Sequence, residues 1–167
     1  MDSGFVFLIN SHPDFHTQME NKKVNAFLDD PDTRHDLIGF LIFYKKIAPI
    51  CTDTKLIKDY PDIKPFVHEL LGKKNLICKT NRELETYNFN TVATNQFVYS
   101  KQNTNVLCLL RHIRNAIAHW NINPHENKEG ILEIHDYRDK SMTVLTCYGI
   151  IKQDVFKKLL KEINNYI

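Results

Sequence analysis

The stretch RHIRNAIAHW, from Arg111 to Trp120, contains side chains whose chemistry suits the handling of phosphate esters. A guanidinium presents a fixed fork of N–H donors that matches a phosphate, and an imidazole takes up or releases a proton near neutral pH. Asn and His are mediocre helix formers, whereas a solvated helix face usually carries Lys and Glu. The composition of this stretch therefore indicates phosphodiester chemistry that needs no metal ion or other cofactor.

Helical periodicity divides this part of the chain into two faces. The apolar residues fall within a sector of about 60° that should face the core: Val106, Leu110, Ile113 and Ile117. The opposite side carries Cys108, Arg111, His112, Asn115 and His119. Arg114 stands at the edge, about 140° around the helix from His119. We therefore expect a second copy, packed across a two-fold axis, to bring Arg and His side chains of both chains into one cleft.

Residues 114–119, RNAIAH, resemble the Arg-polar-x-x-x-His motif of HEPN domains, which are small all-α proteins in which this motif ends a helix of a bundle. The resemblance extends to LLRHIRNAIAHW as a whole, with small residues before the His and a loop after it. A late motif helix, a hairpin and a last amphipathic helix are also similar to bacterial single-domain HEPN proteins. Residues Met1 to Lys101 match these proteins only in their helix content.

This resemblance implies a metal-independent endoribonuclease, usually a dimer whose composite cleft holds both copies of the motif. His119 would act as general base or acid for attack of a ribose 2′-hydroxyl on the adjacent phosphate, which leaves a cyclic phosphate end. Arg114 would hold the phosphate and stabilise the developing charge. Asn115 would orient His119, one turn away. Arg111 and His112 match no invariant position of the family and are carried only as RNA contacts.

The resemblance also implies a biological setting. Family members of this size often act as toxins or phage-defence effectors, so an antitoxin or another regulatory partner is expected beside the RNA substrate.

The same residues have two alternative interpretations. In the structural one, His119 is a C-terminal residue favoured by the helix dipole and Arg114 is a solvated edge residue. In the other, the chain is a catalytically silent HEPN-like module for RNA or nucleotide binding or for dimerisation, because a fold does not carry activity with it. An Arg followed by a His five residues later is weak evidence by itself. Arg114 is nevertheless the only one of the five Arg with a His at that position.

Other candidate sites are weaker. Lys45 and Lys46 could lend positive charge to a cleft, although Lys at a helix end usually complements the dipole. His12 and His16 lie four residues apart, but Pro13 argues against the helix that a metal site would need there. A Cys108–His112 nucleophile is a more distant alternative, because buried Cys usually behaves as a small hydrophobe.

Composition places these motifs in one domain that spans residues 1–167. The net charge of +2 is too small to predict nucleic-acid binding by itself. Four widely spaced Cys form no disulfide framework or zinc motif, so reduced thiols in the cytoplasm are expected. The longest apolar run, LIGFLIFY, is far shorter than a bilayer span, and the N-terminal FVFLIN lacks the features of a signal peptide, so we expect no membrane association.

The elements that should position the motif are mainly helical. Helices are predicted over roughly Phe15–Leu28 and Arg34–Ala48, the latter with Asp32 and Thr33 as cap candidates. A short third helix is predicted in YPDIKPFVHELLGKK with Gly72 as its C-cap, and the motif helix, capped by Thr104 or Asn105, is predicted to run to about His119. KQDVFKKLLKEINNYI predicts the last helix, and a helix near Asn81–Phe89 and a strand at QFVYS are less clear. ILEIHDY and MTVLTCY, on either side of RDKS, predict a hairpin. The expected fold is thus a mainly α, HEPN-like bundle of four or five helices with one small β-hairpin before the last helix.

Overall fold

A computed structural model describes residues 30–50, 52–100, 105–139 and 141–166. These residues form six α-helices: α1 Pro31–Ile47, α2 Asp53–Asp59, α3 Ile63–Leu71, α4 Asn81–Glu85, α5 Asn105–Ala118 and α6 Gln153–Asn164. They also form five strands: β1 Leu76–Lys79, β2 Gln96–Ser100, β3 Ile122–Pro124, β4 Ile131–Tyr137 and β5 Leu145–Lys152. Two short 3₁₀ turns cover Lys73–Asn75 and Phe89–Thr91.

All five strands belong to one mixed sheet, in the order β1-β2-β5-β4-β3. Strand β1 runs parallel to β2, and the other neighbours are antiparallel. The predicted hairpin is present as β4 and β5, but β5 is the central strand of the sheet rather than half of an isolated ribbon. The prediction of a mainly α bundle is therefore wrong, and the fold is mixed α/β.

The error has a physical origin in the two edge strands. Strand β1 has four residues and β3 has three, which is too short for alternating hydrophobicity to be recognised. Each is held by its pairing with the longer neighbour, β2 or β4, and β1 pairs with residues 21 positions further along the chain. Local sequence therefore carried little signal for either strand.

The main core lies between one face of the sheet and helices α1, α5 and α6. Helix α1 packs against both α5 and α6, and α5 packs against β4. The fully buried aromatic residues of this layer are Phe40, Phe43, Phe97, Tyr99 and Phe156. Gly149 of β5 is required here, because a Cβ atom at this position would lie 2.2 Å from the ring of Phe97.

Among the described residues, those that cover the opposite face of the sheet lie at one end of it. Leu84 of α4 and Val92 pack there on Val98 and Ile150, which point away from the main core. The outward side chains of β4 are only partly covered, and they include Glu133, His135 and Tyr137. The two faces of β4 therefore have different environments.

Most predicted helices are present with altered ends. Helix α1 begins at Pro31, and its cap is Asp30, whose carboxylate accepts a hydrogen bond from the Asp32 amide. Ile42 of α1 is 47% exposed, so this helix is less enclosed than its sequence indicates. Helix α3 ends before Gly72, which has φ of +81°, as predicted. Helix α6 is confirmed, α2 was not predicted, and the predicted helix over 15–28 lies outside the described residues.

In the described part of the chain, no helix is long and apolar enough to cross a membrane.

Candidate active site

The motif helix ends in a Schellman turn that places His119. The amide of Trp120 bonds to the carbonyl of Ile117 at 3.2 Å, and that of Asn121 bonds to the carbonyl of Ala116 at 2.8 Å. Trp120 has φ of +56°, a left-handed conformation that Gly usually supplies in this motif. Its side chain is buried, so packing of the indole holds the turn. His119 is therefore the exposed C-cap residue, directly before a turn anchored in the core.

Arg114 is held by two side chains that lie close to it. One of its terminal N–H groups donates to Oδ1 of Asn115 at 3.1 Å. The guanidinium carbon lies 5.8 Å from the centre of the Tyr44 ring, within the range of a cation–π contact. Burial raises the pKa of the Tyr44 hydroxyl, and the positive charges of Arg111 and Arg114 oppose that shift. The half-buried Arg114 thus has a defined position between α5 and α1.

Asn115 connects this arginine to a buried polar network. Its Nδ2 group donates to Oδ2 of Asp136 at 3.2 Å. The same carboxylate oxygen accepts from Nδ1 of His112 at 2.7 Å. On the other side of the imidazole, Nε2 of His112 lies 3.3 Å from the Ser100 hydroxyl and 3.2 Å from the Ser100 carbonyl oxygen. The network therefore runs from the end of β2 through the core to Arg114.

The remaining residues of the polar face are distributed differently from the sequence expectation. His112 is only 2% exposed and Cys108 only 4%, so both belong to the interior. The prediction that His112 contacts RNA does not fit this burial. Arg111 is partly exposed, and one of its terminal nitrogens lies 3.5 Å from Nε2 of His112.

Two lysines lie in the last turn of α1, directly after Tyr44 in sequence. Lys45 and Lys46 are both exposed in the last turn of the helix. Both lysines follow Tyr44, whose ring contacts Arg114. Four positive side chains therefore lie at the contact between α1 and α5 or next to it in sequence: Lys45, Lys46, Arg111 and Arg114. Positive charge at this level of both helices attracts an anionic ligand.

Metal-ligating residues do not gather in the described ranges, which contain no group of three or more His, Cys, Asp or Glu positioned for an ion. His12 and His16 lie outside those ranges. Cys78 is partly buried and Cys108 and Cys147 are buried. Burial raises the pKa of the Cys147 thiol well above its usual value. The chemistry of the polar groups around α5 is that of arginine, histidine and an amide.

Sequence reasoning missed Asp136 and Tyr44. A signal for Asp136 exists in ILEIHDY, because Leu132, Ile134 and Asp136 share one face of an alternating strand. A carboxylate at a position where strand alternation places buried apolar residues must find hydrogen-bond donors in the core. Tyr44 had no comparable signal, because its contact with Arg114 depends on how α1 packs against α5.

The fold and the polar residues define a mixed α/β domain with an Arg-Asn-x-x-x-His motif at the end of a helix that packs on the sheet. Comparison with known families identifies the family. The family model described as HEPN pEK499 p136 matches residues 37–167, and the chain belongs to this HEPN family. No curated protein and no solved structure matches the chain significantly. Membership of the HEPN family connects the chain with nuclease, RNA-related or toxin-like functions.

Proposed function

We propose that this protein is a metal-independent endoribonuclease of the HEPN type. The observation that supports the proposal most strongly is the placement of Arg114, which is held by Asn115 and by the Tyr44 ring on the helix that ends at the exposed His119. A positioned guanidinium and an accessible imidazole are the two groups that cleavage of a ribose phosphodiester needs.

The reaction proceeds by attack of a ribose 2′-hydroxyl oxygen on the adjacent phosphorus. The new 2′-O–P bond forms as the bond from phosphorus to the 5′-oxygen of the next nucleotide breaks. A base removes the 2′-hydroxyl proton, and an acid gives a proton to the departing 5′-oxygen, which leaves a 2′,3′-cyclic phosphate. His119 supplies one of these proton transfers, and Arg114 donates to the phosphate oxygens as their negative charge increases.

One chain presents these groups on diverging sides of the helix. Five residues at about 100° each separate Arg114 from His119 by about 140° around the axis of α5. A second copy, related by a two-fold axis, would place the His119 of one chain near the Arg114 of the other and would supply the second proton-transfer group. The active species is therefore a homodimer with a composite site. Asn115, whose side chain reaches Arg114, completes the catalytic set, and its orientation of His119 stays a prediction.

RNA is the substrate, and its binding uses the positive side chains at the end of α1 and along α5. Lys45, Lys46 and Arg111 lie outside the proposed reacting pair and contribute attraction to the phosphate backbone. Such an enzyme is a toxin or a phage-defence effector in the cytoplasm, and an antitoxin or another regulatory partner restrains it, because unrestrained RNA cleavage harms the host.

The experiment is incubation of the purified protein with mixed cellular RNA in excess chelator. Wild type is compared with His119→Ala and Arg114→Ala, and the new 3′ ends are analysed. We expect cyclic phosphate ends from wild type, and a rate lower by about 100-fold or more in each variant, because each loses proton transfer or charge stabilisation.

Two matched variants test whether the loss of any exposed imidazole or guanidinium lowers the cleavage rate. His35→Ala removes an imidazole that is 79% exposed on α1, and Arg138→Ala removes an exposed guanidinium. Both should cleave RNA like wild type. Cleavage that survives His119→Ala, or that stops in the presence of chelator, would refute the proposal. RNA binding without cleavage, together with no growth arrest on expression, would favour the silent binding module instead.

A further inference from the structure

We propose that Asp136 and His112 are positioning residues, which orient the Asn115 carboxamide and through it hold the Arg114 guanidinium ready for a phosphate. The consequence for catalysis rests on the proposed ribonuclease function, whereas the arrangement itself does not. Asp136 lies on β4 and the other three residues lie on α5, so the sheet, rather than the helix alone, determines where the arginine is held.

The orientation of the Asn115 amide follows from the chemistry of its neighbours. A carboxylate only accepts hydrogen bonds and a guanidinium only donates them. Nδ2 of Asn115 must therefore face Asp136, at 3.2 Å, and Oδ1 must face Arg114, at 3.1 Å. Rotating the amide by half a turn would break both contacts at once. The Asp136 carboxylate is thus the group that selects the orientation in which Asn115 accepts from arginine.

His112 fixes the carboxylate in turn. Its Nδ1 donates to Oδ2 of Asp136 at 2.7 Å, which is the shortest contact of the network and is typical of a hydrogen bond to a charged acceptor. Ser100 lies against the opposite nitrogen of the ring, so the imidazole is held on two sides. The side chains of His112 and Asp136 are 2% and 5% exposed, and water therefore does not compete for these contacts.

A held arginine has a direct catalytic advantage over a mobile one. Arg loses considerable rotamer freedom when a ligand orders it, and prior ordering by protein contacts removes that cost from the binding and transition-state steps. Displacement of a positioned group by about 1 Å can cost about 100-fold in rate. Asn115 and Tyr44 supply this ordering for Arg114 on two sides.

A purely structural role for the buried pair makes a different prediction. If Asp136 and His112 served folding alone, a substitution that preserves the fold would leave catalysis unchanged, or would lower it independently of Asn115. If they act through Asn115, the effect of changing Asp136 must disappear once the Asn115 side chain is absent.

The decisive kinetic experiment is therefore a double-mutant cycle. Asp136→Asn, Asn115→Ala and the double variant are compared with wild type under saturating enzyme, so that the cleavage step is measured apart from RNA binding. We expect Asp136→Asn to slow cleavage by about tenfold or more, and to have no further effect in the Asn115→Ala background. Slowing of the same size in both backgrounds would overturn the proposal.

Two variants near the network provide matched controls. Thr146→Val removes a hydroxyl that contacts Asp136 at its carbonyl, at 3.1 Å, and at Oδ2, at 3.4 Å. Glu133→Gln changes a carboxylate on the outer face of the same strand, away from Asn115 and Arg114. Neither variant removes a contact that links Asp136 to Asn115 or Asn115 to Arg114, so cleavage within about twofold of wild type is expected. Losses equal to that of Asp136→Asn would show that the region acts only through the fold.

A second readout does not depend on RNA cleavage, and its first comparison is made within the wild-type protein. Hydrogen exchange of the Asn115 side-chain amide, followed by NMR in wild type, should be slower than that of the exposed Asn127. Asp136→Asn, where folded, should accelerate it, and Glu133→Gln, on the outer face of β4, should not. Equal exchange at Asn115 and Asn127 in wild type would overturn the positioning role. If wild type cleaves no RNA but the Asn115 amide is protected, the ribonuclease proposal fails and the arrangement stands.

Discussion

A carboxylate–imidazole pair lies at each face of strand β4, and the inner imidazole, His112, comes from helix α5. On the inner face, Asp136 accepts from His112 at 2.7 Å, and the two side chains are 5% and 2% exposed. On the outer face, Glu133 and His135 approach to 3.4 Å, and these side chains are 22% and 21% exposed. The same two functional groups therefore occur in two environments, on the two faces of the same strand.

The surroundings of the two pairs differ as much as their exposure. Thr146 and Asn115 direct further donors at Asp136, and the network ends at Arg114. His135 instead stacks at 5.0 Å on Tyr148 and lies 3.2 Å from the Tyr137 hydroxyl through Nδ1. Partial burial lowers the pKa of His135, and the nearby Glu133 charge opposes that shift.

This comparison shows how burial divides similar residues between two tasks. The inner pair can be kept only if each donor and acceptor is matched, and a matched network fixes geometry. The outer pair is only partly covered, with side chains 22% and 21% exposed, so it contributes less to stability than the inner pair, and its histidine can change protonation with pH. Geometry is the property that the proposed arginine site uses.

The largest expected effect comes from breaking the inner pair. Asp136→Ala should lower the free energy of unfolding by about 3 to 5 kcal/mol, because it leaves His112 and Asn115 with buried donors that have lost their acceptor. Urea denaturation followed by circular dichroism measures the change. A loss below about 1 kcal/mol would mean that the inner pair is no more important to stability than a surface pair.

An intermediate effect is expected from the outer histidine as pH falls. Because its folded-state pKa is lowered, the unfolded chain binds this proton more readily, and stability falls as pH drops from about 6.5 towards the folded-state pKa. His135→Gln should remove this part of the pH dependence. Denaturation of both proteins at about pH 7.5 and about pH 5 measures it. An unchanged difference between the two pH values would contradict the prediction.

The smallest effect is expected from the outer carboxylate. Glu133→Gln should change the free energy of unfolding by about 1 kcal/mol or less, since glutamine keeps the shape of the side chain and the carboxylate is only partly buried. The substitution should also lower the pKa of His135 further, because it removes the charge that raises it. An NMR titration of the His135 ring checks the direction of this shift. A rise in the pKa would show that Glu133 does not act on this histidine through its charge.

Several parts of the fold could be predicted because their signals are local. Helices α5 and α6 have apolar residues at a period of 3.6, and Gly72 follows the end of α3. Arg114, Asn115 and His119 were recognised from a contiguous motif for the same reason. Strands β1 and β3 and the short helix α2 lacked such signals, since strand pairing or packing by neighbours stabilises them.

The amino-acid sequence by itself determined the motif, its position at the end of an amphipathic helix and the residue types available for chemistry. Only the tertiary structure decided that the polar face of this helix is partly buried, with His112 bonded to Asp136 from β4 and Arg114 beside Tyr44 from α1. The physical reason is that helical periodicity tells which residues share a face, whereas the partner of that face depends on long-range packing. Asp136 lies 21 residues from Asn115 in the chain, and the sheet brings the two within hydrogen-bonding distance.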